Sequence, residues 1–251
     1  SLGMCGNLKN IKTSFQLNKF YLKALKKIIL PNGNLIVPTY SYSFSNDEKK
    51  SIFNVKKTKS KLGSFSNFFL KQKNVIRTND PMLSVAGLGP SIKKIFSGLK
   101  NTSYGKGCLF DKLTKIKNVV CLNLCLGTNW LPFIHHIDWI NKVPFRYDKY
   151  FKGEVIDANK HKKKIIWHYP VRYLRKETDS NGYRIGKIAL KKKIFKSAKL
   201  GRSLIYLANY KKFFYLAKKL SKKDHSITAV GPKFKTKCII NIDLPETLTL
   251  C

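Results

Sequence analysis

The chain has 251 residues, with 50 Lys and Arg against 13 Asp and Glu and a formal net charge of +37. That length can bury a substantial core without staples, and 43% hydrophobic residues with 12% aromatics exclude a disordered basic tail. No apolar run reaches the roughly 18–20 residues that a membrane-spanning helix needs, and no secretory apolar segment opens the chain. A soluble, cytoplasmic protein with no membrane partner is expected.

In chain order, residues 15–30 place Phe20, Leu22, Leu25, Ile28 and Ile29 at helical spacing with lysines on the other face. This predicts an amphipathic helix stopped by Pro31-Asn32-Gly33. Asn34 to Val37 reads as a short buried strand ended by Pro38, and residues 41–64 as a long polar loop of the kind that often binds ligands. Ser64 to Lys73 reads as helical, Asn74 to Thr78 as extended, and Val85 to Gly89 as small and tight. A second loop spans 100–107. Asn118 to Leu126 reads as a buried strand, followed by a segment that is helical from Pro132. Lys164 to Leu174 reads as a strand, and 203–220 as lysine-rich with aromatics at helical spacing. The tail 235–251 contains a strand-like CIINIDL. There is no internal repeat and no Gly/Ser linker. Strands alternating with helices point to an α/β class, with α+β as the alternative, in one domain with a central mixed sheet flanked by helices.

The positive charge is nearly all lysine. Arginine occurs only at 77, 146, 172, 175, 184 and 202, and the chain is rich in Asn, Ile, Phe and Tyr. The bland reading is codon-driven lysine on a solvated surface; the sharper one is an anionic ligand such as a nucleotide phosphate. A dedicated nucleic-acid binder uses more arginine for bidentate contacts, so no nucleic-acid partner is expected. The six cysteines (5, 108, 121, 125, 238, 251) contain no CxxC pair, which argues against zinc or another metal. Buried free thiols are the default expectation. Cys108 and Cys125 are nucleophiles only in principle.

Gly87-Leu88-Gly89 lacks the third glycine of a dinucleotide fingerprint, and Gly105-Lys106-Gly107 has no phosphate-loop frame. Both read as tight turns, with phosphate cradling by backbone N–H groups as the alternative. His135 and Asp138 are more specific. At i and i+3 on a helix they share a face, and a carboxylate beside an imidazole fixes its tautomer and raises its basicity. That is a general base suited to neutral pH; the alternative is a surface or core histidine.

Several patches together resemble one family. Asn34 to Tyr40 with Tyr42-Ser43-Phe44, the loop Phe53 to Gly63, Arg77 to Ala86, Gly105 to Leu113, and Leu126-Gly127 with Pro132 to Asp138 are similar, in order, to motifs of the aminoglycoside 3-N-acetyltransferase family. Pro144 to Tyr147 and Trp167-His168 fit its later strands. The resemblance implies the family's α/β fold, distinct from the GNAT acetyltransferases. It also implies transfer of an acetyl group from acetyl-CoA, as co-substrate and without a metal, to an amine on a sugar. It assigns His135 as the catalytic histidine with Asp138 where the family usually has Glu, Thr58, Ser60 and Gly63 to CoA, and Tyr40, Arg77, Asp80 and Ser84 to the acceptor. Asp80 replaces a His common in antibiotic-modifying members, Cys108 a Ser, and Pro132 a Thr. The family's first strand is expected upstream of Ser1, so 1–232 is expected to be an N-acetyltransferase-like domain without that strand, and 233–251 a C-terminal tail.

Aminoglycosides are polycations, which a site with few carboxylates repels. An amino sugar of surface-polysaccharide biosynthesis, carried on an anionic nucleotide, is therefore the expected acceptor. The alternatives are an antibiotic-resistance aminoglycoside acetyltransferase, an inactive relative that binds CoA or a partner, and a basic RNA-associated module, for which no RNA-binding motif is present.

Overall fold

The computed structural model describes residues 5, 6, 8, 10–45, 51–128 and 132–231. The tail 233–251, with its strand-like segment and Cys238 and Cys251, lies outside them. Among the described residues the expected α/β class holds, with strands shared among three three-stranded sheets.

Helix α1 (Ser14–Ile29) opens on a capping box in which Gln16 N–H donates to Thr13 Oγ1 at 3.2 Å and Thr13 N–H to Gln16 Oε1 at 3.1 Å, which satisfies two N-terminal amides that have no helical partner. Its buried face is Asn18, Tyr21, Leu22 and Leu25, whereas Phe20 and Ile28 are exposed. The apolar stripe expected from the sequence is thus displaced by about one position, because Tyr21 joins the core. Strand β1 (Leu35–Pro38) pairs antiparallel with β4 (Val85–Leu88), which also holds the short β3 (Ile76–Arg77). Helix α2 (Ser64–Leu70) packs on β1 and α1. The long loop 41–64 is interrupted by β2 (Ile52–Asn54).

β2 runs parallel to β6 (Arg146–Ile156), and β6 pairs antiparallel with β7 (Lys162–Arg172) over eleven residues each, from Arg146 opposite Arg172 to Ile156 opposite Lys162. This is the mixed sheet. The third sheet has the order β5 (Val120–Leu124), β9 (Ser203–Asn209), β8 (Phe195–Leu200). β5 is therefore an edge strand, with Val120 and Leu122 exposed, rather than the buried strand its apolar run suggests. The run 203–220 also divides. Residues 203–209 are β9, and α7 (Tyr210–Lys223) begins only where the Asn209 side chain accepts from Lys212 N–H at 3.0 Å, an N-cap that converts strand to helix.

Helices α3 (Ile92–Phe96), α4 (Leu109–Thr114), α5 (Ile134–Ile140) and α6 (Tyr183–Lys191) complete the fold. α5 is anchored on α7 by aromatic packing. The Phe133 ring lies 5.1 Å from Tyr210 and 5.2 Å from Phe213, and Phe195 closes on Phe213 at 4.5 Å. Ile134 and Ile137 complete the buried side of α5.

Not all thiols are free. Cys5 and Cys125 form a disulfide, with Cα atoms 6.0 Å apart, because the N-terminal segment returns against the end of β5. This corrects the expectation of free thiols for that pair and removes Cys125 as a nucleophile; Cys108 and Cys121 are free. The Gly105–Gly107 loop is a turn, whereas Gly87 and Leu88 belong to strand β4, which corrects the reading of that segment as a tight turn. Gly105 N–H donates to His136 Nδ1 at 3.1 Å and Gly107 N–H to Asp111 Oδ2 at 2.9 Å, so these amides are not available to cradle phosphate. Gly87 lies in β4, where an added Cβ would stand 2.6 Å from the Ile92 side chain.

Candidate active site

The anchored face of α5 turns His135 outward into a cleft of about 310 Å³ lined by Tyr42, Ser45, Lys61, His135, Arg146, Tyr169, Val171, Arg172 and Ser180. Asp138, one turn along, is fully buried behind it. The i, i+3 spacing thus brings imidazole and carboxylate together as expected, with His135 Nδ1 at 3.4 Å from Asp138 Oδ2. The gap is wide for a hydrogen bond, and a third group enters it. Arg146, the first residue of β6, donates from Nε to Asp138 Oδ2 at 2.8 Å and places Nη2 2.6 Å from His135 Nδ1. Nη2 also reaches Ser180 Oγ at 3.2 Å, and that hydroxyl lies 3.4 Å from His135 Nε2. The Tyr104 ring packs edge-on against the imidazole with centroids 5.5 Å apart.

The electrostatics follow from this packing. Burial, with Arg146 and Arg172 beside it, pushes His135 down to about 4 against the pull of Asp138, so the ring is uncharged at neutral pH. Burial works against charge on Asp138, but the guanidinium of Arg146 beside it holds its carboxyl below the usual range. Among the described residues three cationic side chains line the cleft and no Asp or Glu does. Arg172 is paired at the rim with Asp179 at 2.6 Å; Lys61 has no ion-pair partner among the described residues.

The residues assigned to the acceptor take other positions. Arg77 is buried and donates to Ser84 Oγ (3.1 Å), Val55 O (3.3 Å), Thr58 O (2.5 Å) and Thr39 O (2.8 Å); burial pushes its guanidinium down to about 10. Ser84 is buried with it and donates to Thr39 O at 2.7 Å. Together they tie the loop after β2 to the first sheet, outside the cleft lining. Asp80 Oδ1 accepts from Met82 N–H (2.8 Å), Leu83 N–H (2.7 Å) and Ser103 Oγ (2.9 Å), which is the work of a turn-closing side chain. Burial pushes it up to about 6 despite those bonds. Tyr40 is buried, and its carbonyl accepts from Lys61 N–H at 2.8 Å, which sets the backbone that carries Lys61 to the cleft.

The residues assigned to CoA lie on the same loop. Thr58 N–H donates to Asn54 O at 2.9 Å and Ser60 N–H to Asn67 Oδ1 at 2.9 Å, so both amides are used within the loop. Gly63, at φ 100°, has nothing within 4 Å of where a Cβ would stand. That open backbone, flanked by Lys56, Lys57, Lys59 and Lys61, fits the close approach of a phosphate-bearing chain.

Two other imidazoles are not placed for chemistry. His136 is buried, and burial pushes it down to about 4. Its neighbour Cys108, with Sγ at 3.7 Å, is likewise buried, and burial pushes its thiol up to about 11; it is no nucleophile. His168 is saturated by Thr102 Oγ1 on Nδ1 at 2.7 Å and Asp148 Oδ1 on Nε2 at 2.6 Å. Among the described residues no cluster of His, Cys, Asp and Glu could hold a metal ion, and no helix is long and apolar enough to cross a membrane.

Sequence reasoning missed Arg146, Arg172 and Ser180 as site residues. The first two carried a signal. In a chain that writes lysine almost everywhere, a retained arginine marks a position that needs a planar fork of donors.

The family model for aminoglycoside 3-N-acetyltransferase matches residues 6–222. A search of curated proteins returns no match. Among solved structures, the chain is similar to AAC-IIIb in binary complex with CoASH (15% identity, 89% of this chain and 88% of that one, TM-score 0.71) and to aminoglycoside acetyltransferase AAC(3)-Xa (14%, 89% and 84%, 0.72). It is also similar to the YokD protein of Bacillus subtilis (16%, 90% and 86%, 0.69). At these identities the structural likeness speaks for the fold.

Proposed function

Since this chain belongs to the aminoglycoside 3-N-acetyltransferase family and is thereby an acyltransferase that uses acetyl-CoA, we propose that its acceptor is an amine on a sugar that also carries negative charge. A nucleotide-linked amino sugar of surface-polysaccharide biosynthesis has that chemistry. The observation that carries this reading is the cleft at His135, lined among the described residues by Lys61, Arg146 and Arg172 and by no carboxylate. The unpaired Lys61, with the two guanidiniums behind it, disfavours a polycationic drug and steers in a phosphate. With acetyl-CoA as donor, the cytoplasm is the compartment this reading implies.

His135 acts as the general base. A protonated amine has no lone pair for attack, so it must first lose one proton to solvent, and a base must take a second as nitrogen adds to the thioester carbonyl. The C–N bond forms, the C–S bond breaks, and this second proton passes to Nε2 of His135 and on to the departing thiolate. Thioesters are reactive enough for direct attack, and the buried Cys108 offers no route to an acyl-enzyme. Asp138 orients the ring and stabilises its charged form. The Gly63 backbone and the lysines around it receive the phosphates of CoA, while Thr58 and Ser60 hold that loop in shape. Tyr42 and Tyr169 form the cleft wall against the sugar. Tyr40, Arg77, Asp80 and Ser84 support the segments that bear Lys61 and Tyr42.

Thiol release from acetyl-CoA, measured with wild type and His135→Ala against nucleotide-linked amino sugars and aminoglycosides, tests the reading. Release with the nucleotide sugars alone, lost in the variant, is expected. Release with aminoglycosides alone would overturn it and identify an antibiotic-modifying enzyme.

A further inference from the structure

We propose that Arg146 is a positioning residue that decides which nitrogen of His135 carries the proton, and that an anionic group in the cleft releases the base by drawing its guanidinium away. The inference rests on the reading of His135 as the base.

A guanidinium has donors and no acceptor. With Nη2 at 2.6 Å from Nδ1, the Nδ1 lone pair must receive it, and the single proton of the neutral ring then sits on Nε2. In that form Nδ1 cannot donate to Asp138 Oδ2, although the carboxylate is only 3.4 Å away. Nor has Nε2 a lone pair with which to accept the proton of an attacking amine. The ring is a base in waiting.

The fork of Arg146 shows how it is released. Nε holds Asp138 Oδ2 at 2.8 Å and anchors the side chain, while Nη2 is shared between His135 Nδ1 and Ser180 Oγ at 3.2 Å. Arg146 lines the cleft, so an anion there competes for Nη2. Once Nη2 leaves, Nδ1–H can donate to Asp138 and the Nε2 lone pair faces the cleft. One proton leaves Nε2 for cleft water and one is taken up at Nδ1, so the ring stays neutral. Ionic and titratable groups face His135 from every side: Asp138 on α5, Arg146 on β6, Tyr169 and Arg172 on β7, Tyr104 before α4, and Tyr42 and Lys61 flanking β2. Among the described residues Nδ1 meets Asp138 and Arg146, and of the two only Arg146 is within 3 Å.

Nitrogen-15 NMR of the histidines in the free protein reads the tautomer without any turnover, so a failure here is separate from a failure to acetylate. Wild type at pH 7 is expected in the Nε2–H form, and inorganic pyrophosphate should convert it to Nδ1–H. Arg146→Gln should be Nδ1–H without pyrophosphate, with the His135 protonation midpoint at least one pH unit higher. Arg146→Lys keeps the charge and one donor for Asp138, and should show the Nδ1–H form while the midpoint stays low. This second variant guards against unfolding of the first. A wild-type ring already in the Nδ1–H form, a ring unmoved in both variants, or one blind to pyrophosphate would overturn the proposal.

Discussion

Arg146 and Arg172 stand directly opposite each other across the β6–β7 hairpin, so one end of one hairpin delivers two guanidiniums to the same cleft. Like charges in that position repel. The fold offsets this by giving each its own carboxylate, Asp138 for Arg146 at 2.8 Å and Asp179 for Arg172 at 2.6 Å. Arg146 is held by a buried acid, whereas Arg172 and Lys61 face the cleft from its rim. Inverting either rim charge, as Lys61→Glu or Arg172→Glu, should raise KM for an anionic acceptor by about tenfold or more while changing kcat much less. Steady-state kinetics with a nucleotide-linked amino sugar would show this, and an unchanged KM in both would remove the charge argument.

His135→Ala should lower kcat by about 10²–10⁴, the usual contribution of a positioned general base, while calorimetry finds CoA still bound. Cys108→Ser should keep wild-type turnover, because the thiol is buried and pushed up to about 11. Equal losses in the two variants would point to a covalent route instead.

Removing the acid behind the base should cost the fold itself. Asp138 is fully buried against Arg146, and deleting one partner of a buried ion pair leaves an uncompensated charge, at about 3–5 kcal/mol. Asp138→Asn is therefore expected to unfold at clearly lower urea than wild type. A midpoint within error of wild type would mean that water reaches the pair.

Stability should fall as pH drops from about 6.5 to about 4. His135 and His136 are both held down to about 4 in the fold against about 6.5 in the unfolded chain. The unfolded state thus binds more protons in this window, and acid favours it. Asp80 works the other way below about 6, because its folded form is the readier to protonate. Two groups against one leave about one proton, or roughly 1.4 kcal/mol per pH unit. Urea melts at pH 7 and pH 5 would measure the slope, and Asp80→Asn should steepen it.

Gly186→Ala should destabilise by about 1–3 kcal/mol, the range for overpacking. On α6 its new Cβ would stand 2.4 Å from Thr128 Cβ and 2.7 Å from the Thr128 carbonyl oxygen. Thermal unfolding would register the loss, and an unchanged midpoint would show that the segment after β5 yields freely.

Local pattern was a good guide where an element is defined by its own residues. α1, β1, α2, β7 and the start of α5 near Pro132 fall close to where periodicity and turn residues place them. It failed where the pattern is shared with a neighbour. In β6, Tyr147, Phe151 and Val155 turn inward between Lys149, Lys152 and Glu154, and lysines so frequent along the whole chain blur the alternation. β9 and α7 look like one run in the sequence because Leu204 to Phe214 is apolar enough for either, and the Asn209 cap divides them. β5 read as buried because its residues are apolar, yet burial depends on what packs on a strand.

The sequence alone determined the α/β class, the family resemblance and the pairing of His135 with Asp138, since an i, i+3 spacing is a property of one helix. Only the tertiary structure decided what stands around that pair. Arg146, Arg172, Lys61 and Ser180 lie on four separate segments, brought together by the hairpin register, by the anchoring of α5 on α7 and by the clamp of Arg77 on the loop after β2. Each of those contacts joins residues far apart in the chain, and no local spacing records which distant ends will meet.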